Sequence, residues 1–269
     1  RLRCDWSSDV CSSDLIIYEK TGNIVTMTLN RPDSLNAINR QLRKELGEAL
    51  IEFDGDPEAY VAIITGAGRA FCSGRDLKER AEDNAKGIQV DASHSMTKET
   101  PFMWPKTWKP LIAAVNGFAL AGGWSIAQMC DLRIASEEAK LGISETRWSL
   151  LPPFGAILPK QMNLAAVLEL VLTAQPVTAQ RAYDMGFLNK VVPAADLMEE
   201  SMAMAQQIAD NAPLAVQTFK ELAYRGLNMS NQDISALTYQ MYDALLLTED
   251  SKEGPKAFAE KRKTQWKGR

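Results

Sequence analysis

Hydrophobic and polar positions alternate through "IIYEKTGNIVTMTL" (16–29) about Thr21-Gly22-Asn23. That pattern predicts a two-stranded hairpin. The period then changes. From Ile38, apolar residues recur at 38, 42, 46, 49, 50 and 53, the single stripe of an amphipathic helix, which Asp54-Gly55-Asp56-Pro57 ends. "VAIIT" (61–65) and "LIAAV" (111–115) are unbroken apolar runs and predict strands covered on both faces. "DLRIA" (131–135) and the short "LNKVV" (188–192) add two more strands, and an apolar helix runs from the glycines at 122 and 123 to about Met129. Beyond residue 155 the pattern turns helical, over 159–172, 179–185, 195–210, 213–226, 233–247 and 251–262, with Thr178 as an N-cap and Gly186 past a helix end. The organisation expected is an α/β core over 15–205 followed by a helical region over 206–269.

The first fourteen residues, "RLRCDWSSDVCSSD", have no apolar period and repeat Ser-Ser-Asp, so they are expected to be a non-native leader outside the fold. Two of the four cysteines lie there; Cys72 and Cys130 remain, far apart and without metal-ligand spacing. Neither a disulfide framework nor a metal site is expected, and the location expected is cytoplasmic. The single histidine, His94, sits in the polar stretch "DASHSMTKE" and reads as an exposed loop residue. One histidine excludes the paired-histidine zinc motif. No phosphate-loop signature and no G-x-G-x-x-G occurs. The net charge of −4 lacks the basic balance of a nucleic-acid binder, and no apolar run is long enough to span a membrane. The basic end "EKRKTQWKGR" fits a solvated face and fits equally a contact with phosphates or a neighbouring subunit.

The candidate chemistry lies in "AGGWSIAQMCD" (121–131), where two glycines open an apolar helix. A helix N-terminus presents unpaired N–H groups, and glycine lets a ligand approach the backbone. The loop "FCSGRDL" could bring a second N–H from the other side, and two such donors on one oxygen form an oxyanion hole. On spacing alone, the glycines could equally serve only tight turns.

"ITGAGRAFCSGRDLKE" (64–79) together with "KPLIAAVNGFALAGGWSIAQMCDLRIASEEAKLGISE" (109–145) resembles the crotonase, or enoyl-CoA hydratase/isomerase, superfamily. "TLNRPDSLNAIN" (28–39) and "TEDSKEGPKAFAEKRK" (248–263) are similar to it as well. The resemblance implies an α/β fold, a crotonase-like spiral of ββα units with a C-terminal α-helical trimerisation region. It implies an acyl-CoA thioester substrate and no separate cofactor, coenzyme A being part of the substrate. It places the oxyanion donors on the backbone N–H groups of Arg75 and Gly122. Leu35, Ala37 and Ser73 would then line the adenine and pantetheine path, with Arg69 near the CoA phosphates. Phe258 and Lys261 would close over the CoA of an adjacent subunit, in a homotrimer or a dimer of trimers.

Hydratases of this family commonly place one glutamate three residues after the oxyanion glycine and a second in a G-x-P-E stretch. Here the first position is Ser125 and the second is Glu145, in "GISE". A Ser/Glu pair at this spacing resembles the hydroxycinnamoyl-CoA hydratase-lyases, as do Trp148 and Pro152-Pro153. Where that group carries a phenol-binding tyrosine, this chain has Arg80. The activity expected is reversible addition of water to a 2-enoyl-CoA, with Glu145 as general acid/base and Ser125 assisting. The alternatives are hydration with retro-aldol cleavage, enoyl-CoA isomerisation, and a non-catalytic scaffold or RNA-binding relative.

Overall fold

The computed structural model describes residues 14–87 and 106–269. His94 and the segment 1–13 lie outside the described residues. The predicted hairpin is β1 (Ile16–Thr21) and β2 (Ile24–Leu29), and the predicted amphipathic helix is α1 (Arg40–Gly55). The Asn39 side chain caps α1 by accepting from Leu42 N, and Leu42, Leu46, Ala49, Leu50 and Phe53 are buried along its stripe. Lys109 closes the other end, its ammonium donating to the carbonyls of Phe53 (2.8 Å) and Asp56 (2.6 Å).

Next come β3 (Val61–Gly66), β4 (Ala70–Cys72), α2 (Leu77–Ala85), β5 (Leu111–Val115), β6 (Phe118–Leu120), α3 (Gly122–Met129), β7 (Leu132–Ser136) and β8 (Lys140–Gly142). Three times, one strand of a consecutive pair joins a six-stranded sheet and the next joins a four-stranded one. The large sheet has the order β1-β2-β3-β5-β7-β10 and the small one β4-β6-β8-β9, where β9 is Val177–Thr178 and β10 is Lys190–Val192. All pairs in the large sheet are parallel except β1 with β2. This is the spiral of ββα units expected. Both faces of the large sheet are covered, which is why its strands read as continuous apolar runs. Ala62, Ile64, Ala113 and Val115 face one core, while Val61, Ile63, Ile112 and Ala114 face a second core with Leu197, Ala205 and Ala209.

Those last three residues belong to α6 (Leu197–Ala209), so the expected boundary at 205 falls inside a helix that packs on the sheet. The change to a separate helical layer comes after it, with α7 (Pro213–Gly226), α8 (Asn231–Leu246) and α9 (Glu249–Glu260). Asp131 docks α7: its carboxylate accepts from Leu111 N (2.7 Å), the Tyr224 hydroxyl (3.0 Å) and Lys220 (2.7 Å). The helix expected from 159 begins later, as α4 (Leu164–Thr173), because Pro153–Lys160 is a 3-10 segment containing Pro159 and because Asn163 caps α4. The helix expected over 179–185 is α5 (Ala179–Asp184). Helix α2 and strands β4, β6, β8 and β9 were not anticipated from the pattern.

Candidate active site

Strand register assembles the site. In the small sheet Cys72 pairs with Ala119, after a bulge that follows Ala70, and Ala119 pairs with Leu141. Three residues beyond Cys72 stands Arg75, and three beyond Ala119 stands Gly122. Three and four beyond Leu141 stand Ser144 and Glu145. The segments following three adjacent strands therefore leave the same end of one sheet side by side. The Ala121 N–H donates to Gly142 O at 2.9 Å and fastens two of them together.

The two candidate donors are backbone groups with their ordinary partners removed. Ile38 bridges to Arg75 in parallel fashion: Ile38 N donates to Gly74 O (2.8 Å), and Asp76 N donates to Ile38 O (3.0 Å). In an extended segment successive N–H groups alternate sides, so the Arg75 N–H points away from Ile38. Gly74 has a φ of +98°, and a Cβ built on it would stand 3.2 Å from Gly122 N. A Cβ built on Gly122 would stand 3.6 Å from Arg75 N. The two N–H groups thus border one small space from opposite sides. Gly122 opens α3, so its N–H has no intrahelical acceptor. Among the described residues neither N–H has a hydrogen-bond partner. Ala121, the residue before, holds a φ of +51°, a left-handed conformation that costs about 1–3 kcal/mol away from glycine and turns the helix start toward this space. One residue on, Gly123 lets α3 lie against β4: a Cβ there would meet Cys72 O at 2.0 Å.

Ser125 lies one turn into α3, its N–H bonded to Ala121 O (3.1 Å), and it is buried. No described residue accepts a hydrogen bond from its hydroxyl. Glu145 opens a 3-10 turn (Glu145–Trp148) and is half-buried. Its Oε2 is enclosed and has no hydrogen-bond partner among the described residues. Burial pushes its carboxyl above the ordinary 4.5, offset in part by the N–H groups of Glu145 itself and Ser144. A half-buried acid with one free oxygen, an unpartnered hydroxyl and two unpartnered N–H groups are the kinds of group that proton exchange near a developing oxyanion requires.

The remaining sequence-derived positions divide into two groups. Leu35 and Ala37 are joined to the oxyanion side, since Ser73 N donates to Leu35 O at 3.0 Å. Arg69 is exposed, its carbonyl close to Gly117. Phe258 is 87% exposed and Lys261 ends α9 in a left-handed conformation. Among the described residues neither makes a hydrogen bond or ion pair with the other site positions.

Sequence reasoning missed Asn36. Its fully buried side chain accepts from Arg31 N (2.8 Å) and donates to the carbonyls of Ala67 (2.9 Å) and Ala70 (2.7 Å), tying the 31–37 turn to the segment leading into the oxyanion loop. It also missed Arg31, whose guanidinium holds Asp76, the cap of α2, at 3.1 Å. Asn36 has a φ of +55°, and asparagine in a turn was the available signal. Burial pushes the Cys72 and Cys130 thiols up to about 12, so neither offers a thiolate nucleophile. Among the described residues no cluster of three or more His, Cys, Asp or Glu could hold a metal, and no helix is long and apolar enough to cross a membrane.

Comparison with known proteins shows the family and the fold. The family described as enoyl-CoA hydratase/isomerase matches residues 19–269. A carnitinyl-CoA dehydratase of Proteus mirabilis (strain HI4320) is 38% identical over 255 residues, covering 92% of this chain and 96% of that protein. A short-chain-enoyl-CoA hydratase of Clostridium acetobutylicum is 36% identical over 253 residues, covering 93% and 96%. Among solved structures, a probable enoyl-CoA hydratase/isomerase from Mycobacterium abscessus superposes with a TM-score of 0.86 at 34% identity, covering 96% of this chain and 100% of that one. An enoyl-CoA hydratase from Bacillus anthracis gives 0.86 at 35%, covering 95% and 100%.

Proposed function

We propose, from the premise that the chain belongs to the enoyl-CoA hydratase/isomerase family, that it adds water reversibly to a 2-enoyl-CoA with Glu145 as its one acid/base group. Hydration chemistry at a CoA thioester is that of the family, and the chain is an enzyme of it, a lyase. The observation that carries the residue-level reading is the register Cys72–Ala119–Leu141, which sets Arg75, Gly122 and Glu145 at one end of one sheet.

The thioester oxygen accepts from the Arg75 and Gly122 N–H groups, which draws electron density from C3. Glu145 takes a proton from water as the water oxygen bonds to C3. The electron pair moves through C2 to the thioester oxygen, and the enolate so formed is held by the two donors. Glu145 then returns a proton to C2. Each fixed donor aimed at that oxygen is worth about 3–4 kcal/mol in the transition state. Ser125 orients the water or the nascent 3-hydroxyl; a hydroxyl donates and accepts but does not ionise at neutral pH.

A second reading is favoured by the pairing of Ser125 with Glu145: hydration followed by retro-aldol cleavage, as in the hydroxycinnamoyl-CoA hydratase-lyases. The assembly proposed is a homotrimer or a dimer of trimers, supported by the exposed Phe258 and Lys261, which are available to a neighbour's CoA. The location proposed is the cytoplasm, in keeping with the two free buried cysteines. Incubation with crotonyl-CoA and with hydroxycinnamoyl-CoA thioesters tests these readings together. Loss of the conjugated absorbance with gain of one water by mass supports hydration. An aldehyde product supports cleavage. Absence of both while a double bond migrates overturns the assignment in favour of isomerisation.

A further inference from the structure

Around Arg75 the structure collects more positive charge than it neutralises. The first turns of α1 and α2 lie side by side, because the Arg40 N–H donates to the Glu79 carboxylate at 3.2 Å. Arg40 and Arg43 come from α1, Arg80 from α2, and Arg75 from the segment between β4 and α2. Two carboxylates stand among these four guanidinia. Both are engaged by Arg40, which bonds Asp83 directly and sits 3.8 Å from Glu79. Arg43, Arg75 and Arg80 have no carboxylate partner among the described residues, and all three are half-buried. The Asp83 carboxylate is buried, and its second oxygen has no hydrogen-bond partner among the described residues; Asp83 and Glu79 offset the charge of Arg75 in part, and Glu79 that of Arg43, without an ion pair to either.

We infer that this arginine group recognises an anionic acyl terminus, so that the preferred substrate is a 2-enoyl-CoA carrying a carboxylate at the far end of its acyl chain. The inference rests on the hydratase reading above for the chemistry, though not for the binding preference. Its geometric basis is that Arg75 is one residue with two faces. Its backbone N–H borders the candidate oxyanion space, and its guanidinium stands among the charges of Arg80, Asp83, Glu79 and Arg40. Arg80 lies on the α2 turn that follows, and its charge is felt at Arg75. Guanidinium forks match carboxylates and tolerate partial burial better than ammonium groups do. Burial, and then the charge of Arg75, makes the cationic form of Arg43 harder to hold; burial, and then Arg80, does the same to Arg75. An incoming carboxylate relieves both strains. The same cluster disfavours a quaternary-ammonium acyl group of the kind that the name carnitinyl-CoA denotes in the relative from Proteus.

A rival anion is a phosphate of CoA itself, and the test separates the two. Glutaryl-CoA and valeryl-CoA have five-carbon acyl groups that differ in a terminal carboxylate against a methyl group, and neither needs turnover. Their dissociation constants, and that of free CoA, are measured by calorimetry on the full chain. Glutaryl-CoA is expected to bind about 10- to 100-fold more tightly, the range of one or two charge-assisted hydrogen bonds. Arg80→Gln and Arg43→Gln should each shrink that ratio while leaving the valeryl-CoA and free-CoA constants close to wild type. A ratio of one or below in the wild type overturns the inference. So does an equal loss of affinity for all three ligands in the variants, which assigns the arginines to the CoA phosphates. If glutaryl-CoA is preferred and yet no enoyl-CoA is hydrated, the binding inference stands and the hydratase reading falls.

Discussion

Helices α1 and α8 are each 16 residues long, and they place their apolar residues in opposite circumstances. Five residues of α1 are buried against the sheet, with Leu42, Leu46, Leu50 and Phe53 fully enclosed. No residue of α8 is buried, although it carries Tyr239, Met241, Tyr242, Leu245 and Leu246. Tyr239 is 69% exposed, Leu247 just past the helix 83%, and Phe219 on the neighbouring α7 73%. Exposed apolar side chains of this kind are what a contact with another molecule would cover. The oxyanion donors and Glu145 are on the spiral that α1 closes. Phe258 and Lys261 are on the layer that α8 belongs to. On the proposed reading the catalytic half of the molecule is complete within one chain, and the half that covers the coenzyme needs a second copy.

The largest expected effect strikes the finished half. Glu145→Gln keeps the shape of the site but cannot exchange a proton at neutral pH, so kcat should fall by about 10²–10⁴-fold while acyl-CoA affinity by calorimetry holds; wild-type kcat would remove Glu145 from the mechanism. The same residue sets a pH dependence. Its carboxyl titrates above 4.5 because burial disfavours the anion, so kcat/KM should fall on the acid side with an apparent pKa above that value. A carboxyl whose folded pKa is raised contributes stability below its unfolded pKa and loses it as pH rises through the folded one. Glu145→Gln should therefore melt higher than wild type at neutral pH, and a lower Tm would contradict the burial argument.

Phe53→Ala on α1 should cost about 3–5 kcal/mol in denaturant unfolding, at every protein concentration alike. A Tyr239→Lys, Leu246→Lys pair on α8 should instead yield a folded monomer in sedimentation. The unfolding of that monomer should be independent of protein concentration, whereas that of an assembled wild type should depend on it. If the α8 variant remains a trimer, or if the wild type is a monomer at micromolar concentration, the contrast between the two layers fails. The smallest effect expected is from Ser125→Ala, about tenfold in kcat, the worth of one hydrogen bond. A loss matching that of Glu145→Gln would make the serine an equal partner in the proton transfer.

What the sequence disclosed follows the length and isolation of each signal. The stripe of α1 is long, and all but Ile38 of its predicted positions are buried on that helix, Ile38 being buried just before the cap. Strands β3 and β5 announced themselves because sheet and helices cover both their faces. Strands β4, β6 and β8 have three residues each, too few for a period, and they exist through pairing with segments 47 and 22 residues away in register. Helix α2, "LKERAEDNA", has no apolar stripe; Asp76 starts it by accepting from Lys78 and Glu79 N–H groups. At the site, the glycine pair pointed to an anion-binding backbone through the family resemblance, since spacing alone left tight turns as an equal reading. Asn36 and Arg31 were not readable, since their partners are carbonyls and a carboxylate more than 30 residues distant.

The pairing of Cys72 with Ala119 has a consequence for how such an enzyme can diversify. Adjacent strands keep their backbones about 4.8 Å apart whatever side chains they carry, so if Arg75 and Gly122 supply the two donors, the paired strands that lead into them hold the gap between them. Residue 75 can become any amino acid that retains an N–H, and the electrophilic contact survives; only proline would erase it. Its side chain is therefore free to drift and to sample new acyl groups while the chemistry beside it stays intact. In a lineage descended from this chain, changes of substrate should gather at residue 75 and on the adjoining turn of α2, with Gly74 and Gly122 held still between them.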